Sequence, residues 1–118
     1  ARPEQRVVAI FQPHRYTRTH TFLEEFAQSF TYADVVILTD IYSAGEVDLG
    51  LVSGEQLAAA VAKEHSDVHY QPTLASVCDY LLEILLPGDL ALFLGAGNLN
   101  QTIPEVIAAL HQPAKATS

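Results

Sequence analysis

Short unbroken apolar runs alternate along this chain with longer stretches in which apolar residues return every three or four positions. The runs are Val7-Val8-Ala9-Ile10-Phe11, Asp34-Val35-Val36-Ile37-Leu38-Thr39 and Leu90-Ala91-Leu92-Phe93-Leu94, with Val68-His69-Tyr70 a shorter fourth. A strand buried on one face alternates apolar with polar. A run without alternation fits burial on both faces, as in a parallel sheet covered by helices. The intervening stretches predict those helices. Thr21-Phe22-Leu23-Glu24 has the form of a capping box, with Phe22, Phe26 and Phe30 at four-residue spacing behind it. Ser53-Gly54-Glu55-Gln56 is a second such box and opens Leu57-Ala58-Ala59-Ala60-Val61-Ala62. Thr73 precedes a third helix, with Leu74, Val77, Leu81 and Leu85 on one face and Pro87-Gly88 as its stop. A last helix carries Ile103, Val106, Ile107 and Leu110.

The order βαβαβαβα predicts one α/β domain over residues 1–118: an open, mainly parallel, Rossmann-like sheet with helices on both faces, in three α/β/α layers. Ligands of such sheets sit beyond the carboxyl ends of the strands. Three loops are thereby singled out: Gln12–His20, Asp40–Val52 and Gly95–Gln101. The ends, Ala1–Arg6 and Gln112–Ser118, read as frayed polar termini.

Composition narrows the function classes. Apolar residues make up 49% of the 118 and charged residues 17%, which suits a packed core and excludes general disorder. Six basic against fourteen acidic residues leave a net charge of −8, so neither nucleic acid nor an anionic membrane is an expected partner. No apolar run approaches the ~20 residues of a membrane span, and no signal segment opens the chain, so a cytoplasmic location is expected. The chain starts at Ala1 and contains no Met, which is compatible with a piece of a longer protein. The single Cys78 allows no internal disulfide and no cysteine-rich zinc site; its apolar surroundings suit a small core residue. His65 and His69 straddle a helix end and a strand start, where they share no helical face, and no metal site is expected.

The first loop, Gln12-Pro13-His14-Arg15-Tyr16-Thr17-Arg18-Thr19-His20, is a positive island in an acidic chain. It holds two of the six basic residues and two of the five histidines. Arginine presents a planar fork to a carboxylate or phosphate, and the start of the following helix also favours an anion. Arg15 and Arg18 are thus either anion ligands or surface residues paired with local acids. The second loop places Asp40 at the end of a strand and Glu46 beyond Gly45. Asp40 could orient a ligand and Glu46 could hold an amine or magnesium, or the pair could form a solvated acidic turn. The third loop, Gly95-Ala96-Gly97-Asn98-Leu99-Asn100, follows a strand and precedes a helix but lacks the third glycine and the later acid of a dinucleotide fingerprint. It permits close backbone approach to a ligand or neighbouring domain, or is a plain tight turn.

The stretch Phe11-Gln12-Pro13-His14-Arg15-Tyr16-Thr17-Arg18-Thr19 closely resembles a signature of the Mur ligases, the ATP-dependent enzymes that build the peptidoglycan peptide. Asp40-Ile41-Tyr42-Ser43-Ala44-Gly45-Glu46 resembles that family's next signature, and Gly95-Ala96-Gly97-Asn98 its last. The three occur in the family's order, each after a predicted strand. The resemblance covers the family's C-terminal domain only. It implies that the N-terminal UDP-sugar domain, the central ATPase domain and the opening strand of the C-terminal domain are absent. Nearest is the branch that joins L-alanine to UDP-N-acetylmuramate.

By that resemblance, Arg15 and Arg18 hold the carboxylate of L-alanine or of the product, and His14 and Tyr16 shape the pocket. The Asp40–Glu46 loop helps select the amino acid. Gly95, Gly97 and Asn98 give backbone approach, Asn98 standing where many relatives have Asp. No residue here is implied to transfer protons or bind metal; ATP and magnesium belong mainly to the absent domains. The implied reaction activates the muramyl carboxylate as an acyl phosphate, which the amine of L-alanine attacks. The isolated chain is expected to be inactive, and to self-associate if a sheet edge is left open. Two other readings compete: a free-standing small-anion-binding module, and a dinucleotide-dependent oxidoreductase domain that the failed glycine pattern disfavours.

Overall fold

The structure, a computed structural model, describes residues 5–95 and 97–110. The expected frayed ends lie almost wholly outside them. Four strands, β1 (Val7–Phe11), β2 (Val35–Leu38), β3 (Val68–Tyr70) and β4 (Leu90–Leu94), form an all-parallel sheet in the order β3-β2-β1-β4. The helices are α1 (Tyr16–Thr21), α2 (Leu23–Gln28), α3 (Gly54–Glu64), α4 (Leu74–Ile84) and α5 (Thr102–Leu110), with a short 3-10 turn over Leu99–Gln101 ahead of α5.

Side chains of a strand point alternately to its two faces, so each central strand feeds two cores. Val7 and Ala9 of β1 and Val36 and Leu38 of β2 pack with Ala27, Leu57 and Val61 on one face. Val8, Ile10, Val35 and Ile37 meet Val77, Leu81 and Val106 on the other. This double burial is why β1 and β2 carry no polar alternation. The edge strands β3 and β4 are only half-buried. Cys78 packs half-buried against the second core, as a small core residue would, and burial pushes its thiol up from the ordinary value.

Two of the helix starts are local. Ser53 Oγ accepts from Gln56 N at 3.1 Å, and Gln56 Oε1 accepts from Ser53 N at 2.9 Å, completing the box at α3. Thr73 and Ser76 exchange the equivalent pair at α4. The third expectation fails. Thr21 caps nothing: it is the last residue of α1, and α2 starts after Phe22 with no side-chain cap. The helical segment begins at Tyr16, inside the expected loop, and breaks at Phe22, whose φ of −108° leaves the helical range. Phe22 is therefore exposed, Phe26 half-buried and Phe30 buried, rather than all three on one core face.

The topology decides where a ligand can sit. From β1 the chain steps to β2 and then β3, with α2 and α3 on one face. It then returns by α4 on the other face to β4, on the far side of β1. The carboxyl ends of β1 and β4 therefore flank the point where successive connections part, which is where open α/β sheets bind ligands. The outer side of β4 pairs with no strand among the described residues. Beside it lies an apolar groove of about 790 Å³, lined among others by Leu86, Phe93, Ile107 and Leu110.

Candidate functional site

At the carboxyl end of β1, Gln12 is 5% exposed although polar. Its backbone N–H extends the ladder to Leu94 O at 2.9 Å. Its side chain reaches the β4 loop, where Nε2 donates to Asn98 Oδ1 at 2.7 Å and Oε1 accepts from Leu99 N at 2.9 Å. A buried amide left without partners would cost about 1–3 kcal/mol, so this double bond fixes the two loops together. The bond to Gln12 needs only a carbonyl oxygen at position 98, which Asn and Asp both supply.

Gly97 closes the same junction. A Cβ there would lie 2.6 Å from Tyr42 Cγ and 2.7 Å from Gln12 Oε1, nearer than any real side chain approaches. The close approach expected of this glycine is thus made to two residues of its own chain. Tyr42, in the β2 loop, stacks on His14 with ring centroids 5.8 Å apart and planes 18° from parallel. Three loops from three strands converge here.

The β1 and β2 loops are further stitched through their backbones. Arg15 N donates to Tyr42 O at 2.7 Å, and Tyr42 N donates to Pro13 O at 2.8 Å. Arg15 itself has φ 72° and ψ 138°, a conformation natural to glycine. Such a backbone costs a non-glycine residue about 1–3 kcal/mol and persists only where surrounding bonds impose it. Its carbonyl accepts from Thr19 N at 3.1 Å and from Thr19 Oγ1 at 2.8 Å.

Glu46 supplies the rest of that constraint from the β2 loop. Its Oε1 accepts from Tyr16 N at 2.6 Å and Thr17 N at 3.2 Å, and its Oε2 accepts from Thr17 Oγ1 at 2.5 Å. A carboxylate thirty positions away thus satisfies the first free amides of α1, which is why the helix can begin at Tyr16. The Thr17 hydroxyl above all, then the two amides and the charge of Arg15, hold the Glu46 carboxyl below its ordinary range. This corrects the expectation that the following helix start is open to an external anion: Tyr16 N and Thr17 N are already bonded.

The arginine side chains are another matter. Arg15 and Arg18 are exposed, and neither makes an ion pair or side-chain hydrogen bond among the described residues. The charge of Arg15 nevertheless acts on the nearby Glu46 carboxylate without closing into an ion pair among those residues. Arg18 and His14, with Gln12, Gly95, Phe11 and Phe26, line a cavity of about 190 Å³ beside the switch point. It joins one fixed positive charge to an aromatic wall, a combination that suits a small anion carrying an apolar group.

Asp40 stands apart. Its carboxylate accepts from the Tyr70 hydroxyl of β3 and lies against Gly54 at the start of α3. Burial first, then that bond to Asp40, push the Tyr70 hydroxyl up to about 12. The structure therefore groups His14, Arg18 and Gly95 around one cavity, joins Arg15, Tyr16 and Glu46 in one loop junction, and places Asp40 on the β2–β3 side. Residues that sequence reasoning passed over are Gln12, Thr17, Tyr42 and Tyr70. A polar residue directly after a fully apolar strand was a usable signal for Gln12; the others become visible only through contacts across loops.

Residues 1–97 match the family described as "Mur ligase, glutamate ligase domain". The chain belongs to this Mur ligase family. Among curated relatives, it is 77% identical over 118 residues to the UDP-N-acetylmuramate--L-alanine ligase of Nostoc punctiforme, covering 100% of this chain and 24% of that protein. It is 73% identical over 117 residues to the protein of the same name from Trichormus variabilis, covering 99% of this chain and 24% of that one. With the Synechocystis protein of that name it shares 61% over 105 residues, 89% of this chain and 21% of that one. The chain spans about a quarter of the length of the first of these relatives. The resemblance drawn from the three loop signatures is thereby confirmed at the level of the family.

Among the described residues of this Mur ligase domain, no group of three or more His, Cys, Asp or Glu could hold a metal. The sequence has no GxxxxGK[ST] loop to cradle phosphate oxygens. No helix among them is long and apolar enough to cross a membrane.

Proposed function

We propose that this domain is the amino-acid-binding part of an ATP-dependent ligase that joins L-alanine to UDP-N-acetylmuramate in peptidoglycan synthesis. One observation carries the reading: two arginines without partners among the described residues stand at the switch point of the sheet, one of them lining a small half-aromatic cavity. The relatives' shared name supplies the amino acid and the sugar. Arg15 and Arg18 hold the carboxylate of L-alanine or of the product. His14 and Tyr16 shape the pocket, the Asp40–Glu46 loop helps select the amino acid, and Gly95, Gly97 and Asn98 let the β4 loop come close. These residues bind and orient; none moves a proton. Holding one reactant in place beside another accounts for a large part of the acceleration of a two-substrate reaction.

ATP, magnesium and the UDP sugar are held by the remainder of the parent chain. A cytoplasmic setting follows from such substrates. The isolated domain is inactive, and in isolation it pairs through the open edge of β4 with a second copy.

Kinetics of the full-length ligase with L-alanine, glycine and L-serine test the assignment. L-Alanine is expected to show the highest kcat/KM, with glycine about 10-fold or more below it, since one methyl in a fitted pocket is worth roughly that much. Equal use of the three amino acids would remove the L-alanine assignment. ATP turnover by the purified 118-residue chain, surviving controls for contamination, would remove the domain reading altogether.

A further inference from the structure

Among the described residues, Glu46 is the one carboxylate that crosses between the β1 and β2 loops, and its three bonds all fall on the two residues that follow Arg15. Arg15 is also the described residue with the less favourable of two positive-φ backbones outside glycine, at 72° against 52° for Ala44. A residue in that conformation relaxes when its neighbours are free to turn. Upstream, Arg15 N is held by Tyr42 O at 2.7 Å. Downstream, the restraint comes from Thr19 within α1 and from Glu46 outside it. The turn Ser43-Ala44-Gly45-Glu46, closed by Glu46 N donating to Ser43 O at 3.0 Å, delivers the carboxylate to that position.

We propose that Glu46 is a positioning residue that clasps the β2 loop to the start of α1 and so locks Arg15 in the strained backbone that aims its guanidinium at the substrate carboxylate. The proposal rests on the amino-acid-binding reading of the site and specifies what Glu46 does there. It acts through Arg15 rather than on the substrate. Its work is that of an acceptor for two amides and a hydroxyl, not that of a net charge. The distinction is chemical: a glutamine at this position keeps one carbonyl oxygen for Tyr16 N and Thr17 N, and its NH₂ can donate to Thr17 Oγ1, because a hydroxyl also accepts.

The test uses the full-length ligase, with two readouts on Glu46→Ala, Glu46→Gln and Arg15→Ala. Hydrogen exchange is followed on a peptide containing Tyr16 and Thr17, and KM for L-alanine is measured with ATP saturating. Glu46→Ala is expected to speed exchange at those amides at least about 10-fold. It should raise KM for L-alanine roughly 10- to 100-fold through misplacement of Arg15, with KM for ATP unmoved. Glu46→Gln should restore most of both. Unchanged exchange in Glu46→Ala overturns the clasp. Glu46→Gln as impaired as Glu46→Ala overturns the acceptor role in favour of a direct charge effect. Faster exchange with normal KM for L-alanine, while Arg15→Ala raises that KM, overturns the positioning role. Normal L-alanine kinetics in Arg15→Ala instead defeats the amino-acid-binding reading, and with it the aim assigned to the clasp.

Discussion

The two ends of β1 use arginine in opposite ways. At the amino end, the Arg6 guanidinium is engaged through Nε and Nη2: it meets the Asp89 carboxylate at 2.6 and 3.2 Å and the Ile84 carbonyl at 2.6 Å. Asp89 in turn accepts from Leu86 N at 2.9 Å, and Asp34 accepts from Val7 N at 2.7 Å. That end is a clasp which ties β1 to the turn before β4. At the carboxyl end, Arg15 and Arg18 have strained or exposed settings and no such partners among the described residues. The polar bonds there hold backbone and loops instead, through Gln12, Glu46 and Tyr42. The same residue type is tied into the fold at one end and left without an ion pair among the described residues at the other. What differs is whether a carboxylate of those residues comes within ion-pair reach.

The largest expected effect separates the two ends by kinetics. In the full-length ligase, Arg15→Ala or Arg18→Ala should lower kcat/KM for L-alanine about 10- to 150-fold, since each charge-assisted bond is worth roughly 1.5–3 kcal/mol. Lysine at either position should recover only part, because it keeps the charge and loses the planar fork. Thermal unfolding should hardly move. Arg6→Ala should do the reverse, with near-normal kinetics and a lower melting temperature. If all three variants behave alike, the comparison fails.

Next comes the junction under the site. Gly97→Ala forces a methyl into Tyr42 and Gln12, and should destabilise the domain by about 1–3 kcal/mol in denaturant unfolding. A loss below about 0.5 kcal/mol, the range of ordinary surface changes, would show that the β4 loop is not closed against the other two.

Asp89→Ala leaves Leu86 N without its acceptor and Arg6 with the Ile84 carbonyl alone. The Arg6 side chain is 32% exposed and water can replace part of the loss, so about 1–2 kcal/mol is expected. An unchanged unfolding midpoint would reduce this clasp to ordinary surface.

The smallest effect is a dependence on acid. The Arg6 hydrogen bond above all holds the Asp89 carboxyl below its ordinary range. A depressed carboxyl contributes stability that is present above the unfolded value, near pH 4, and is lost as pH falls through the folded one. Unfolding followed from pH 6 down to pH 2 should show that contribution fading in the native chain and absent from Asp89→Ala. Parallel curves for the two would exclude it.

Much of this architecture is legible one segment at a time. The apolar runs become β1, β2 and β4 because burial on both faces leaves no place for polar alternation, and two helix starts follow from side chains three residues apart at Ser53 and Thr73. The candidate loops were equally visible, since a strand end in a parallel sheet marks them. Which loop residues meet was not. Thr21 had the right local pattern for a cap and lost to Glu46, whose carboxylate comes from another strand's loop and starts the helix six residues earlier.

Sequence alone thus determined the element types, the parallel sheet and the family, because periodicity, local caps and the three loop signatures are short-range properties of the chain. Only the tertiary structure decided that β4 returns beside β1, that Gln12 bridges to Asn98 and Leu99, and that Arg6 pairs with Asp89. Those pairings join residues 83 to 87 positions apart. No local pattern encodes such pairings, because each is selected by which faces and ends the packed sheet brings within hydrogen-bond reach.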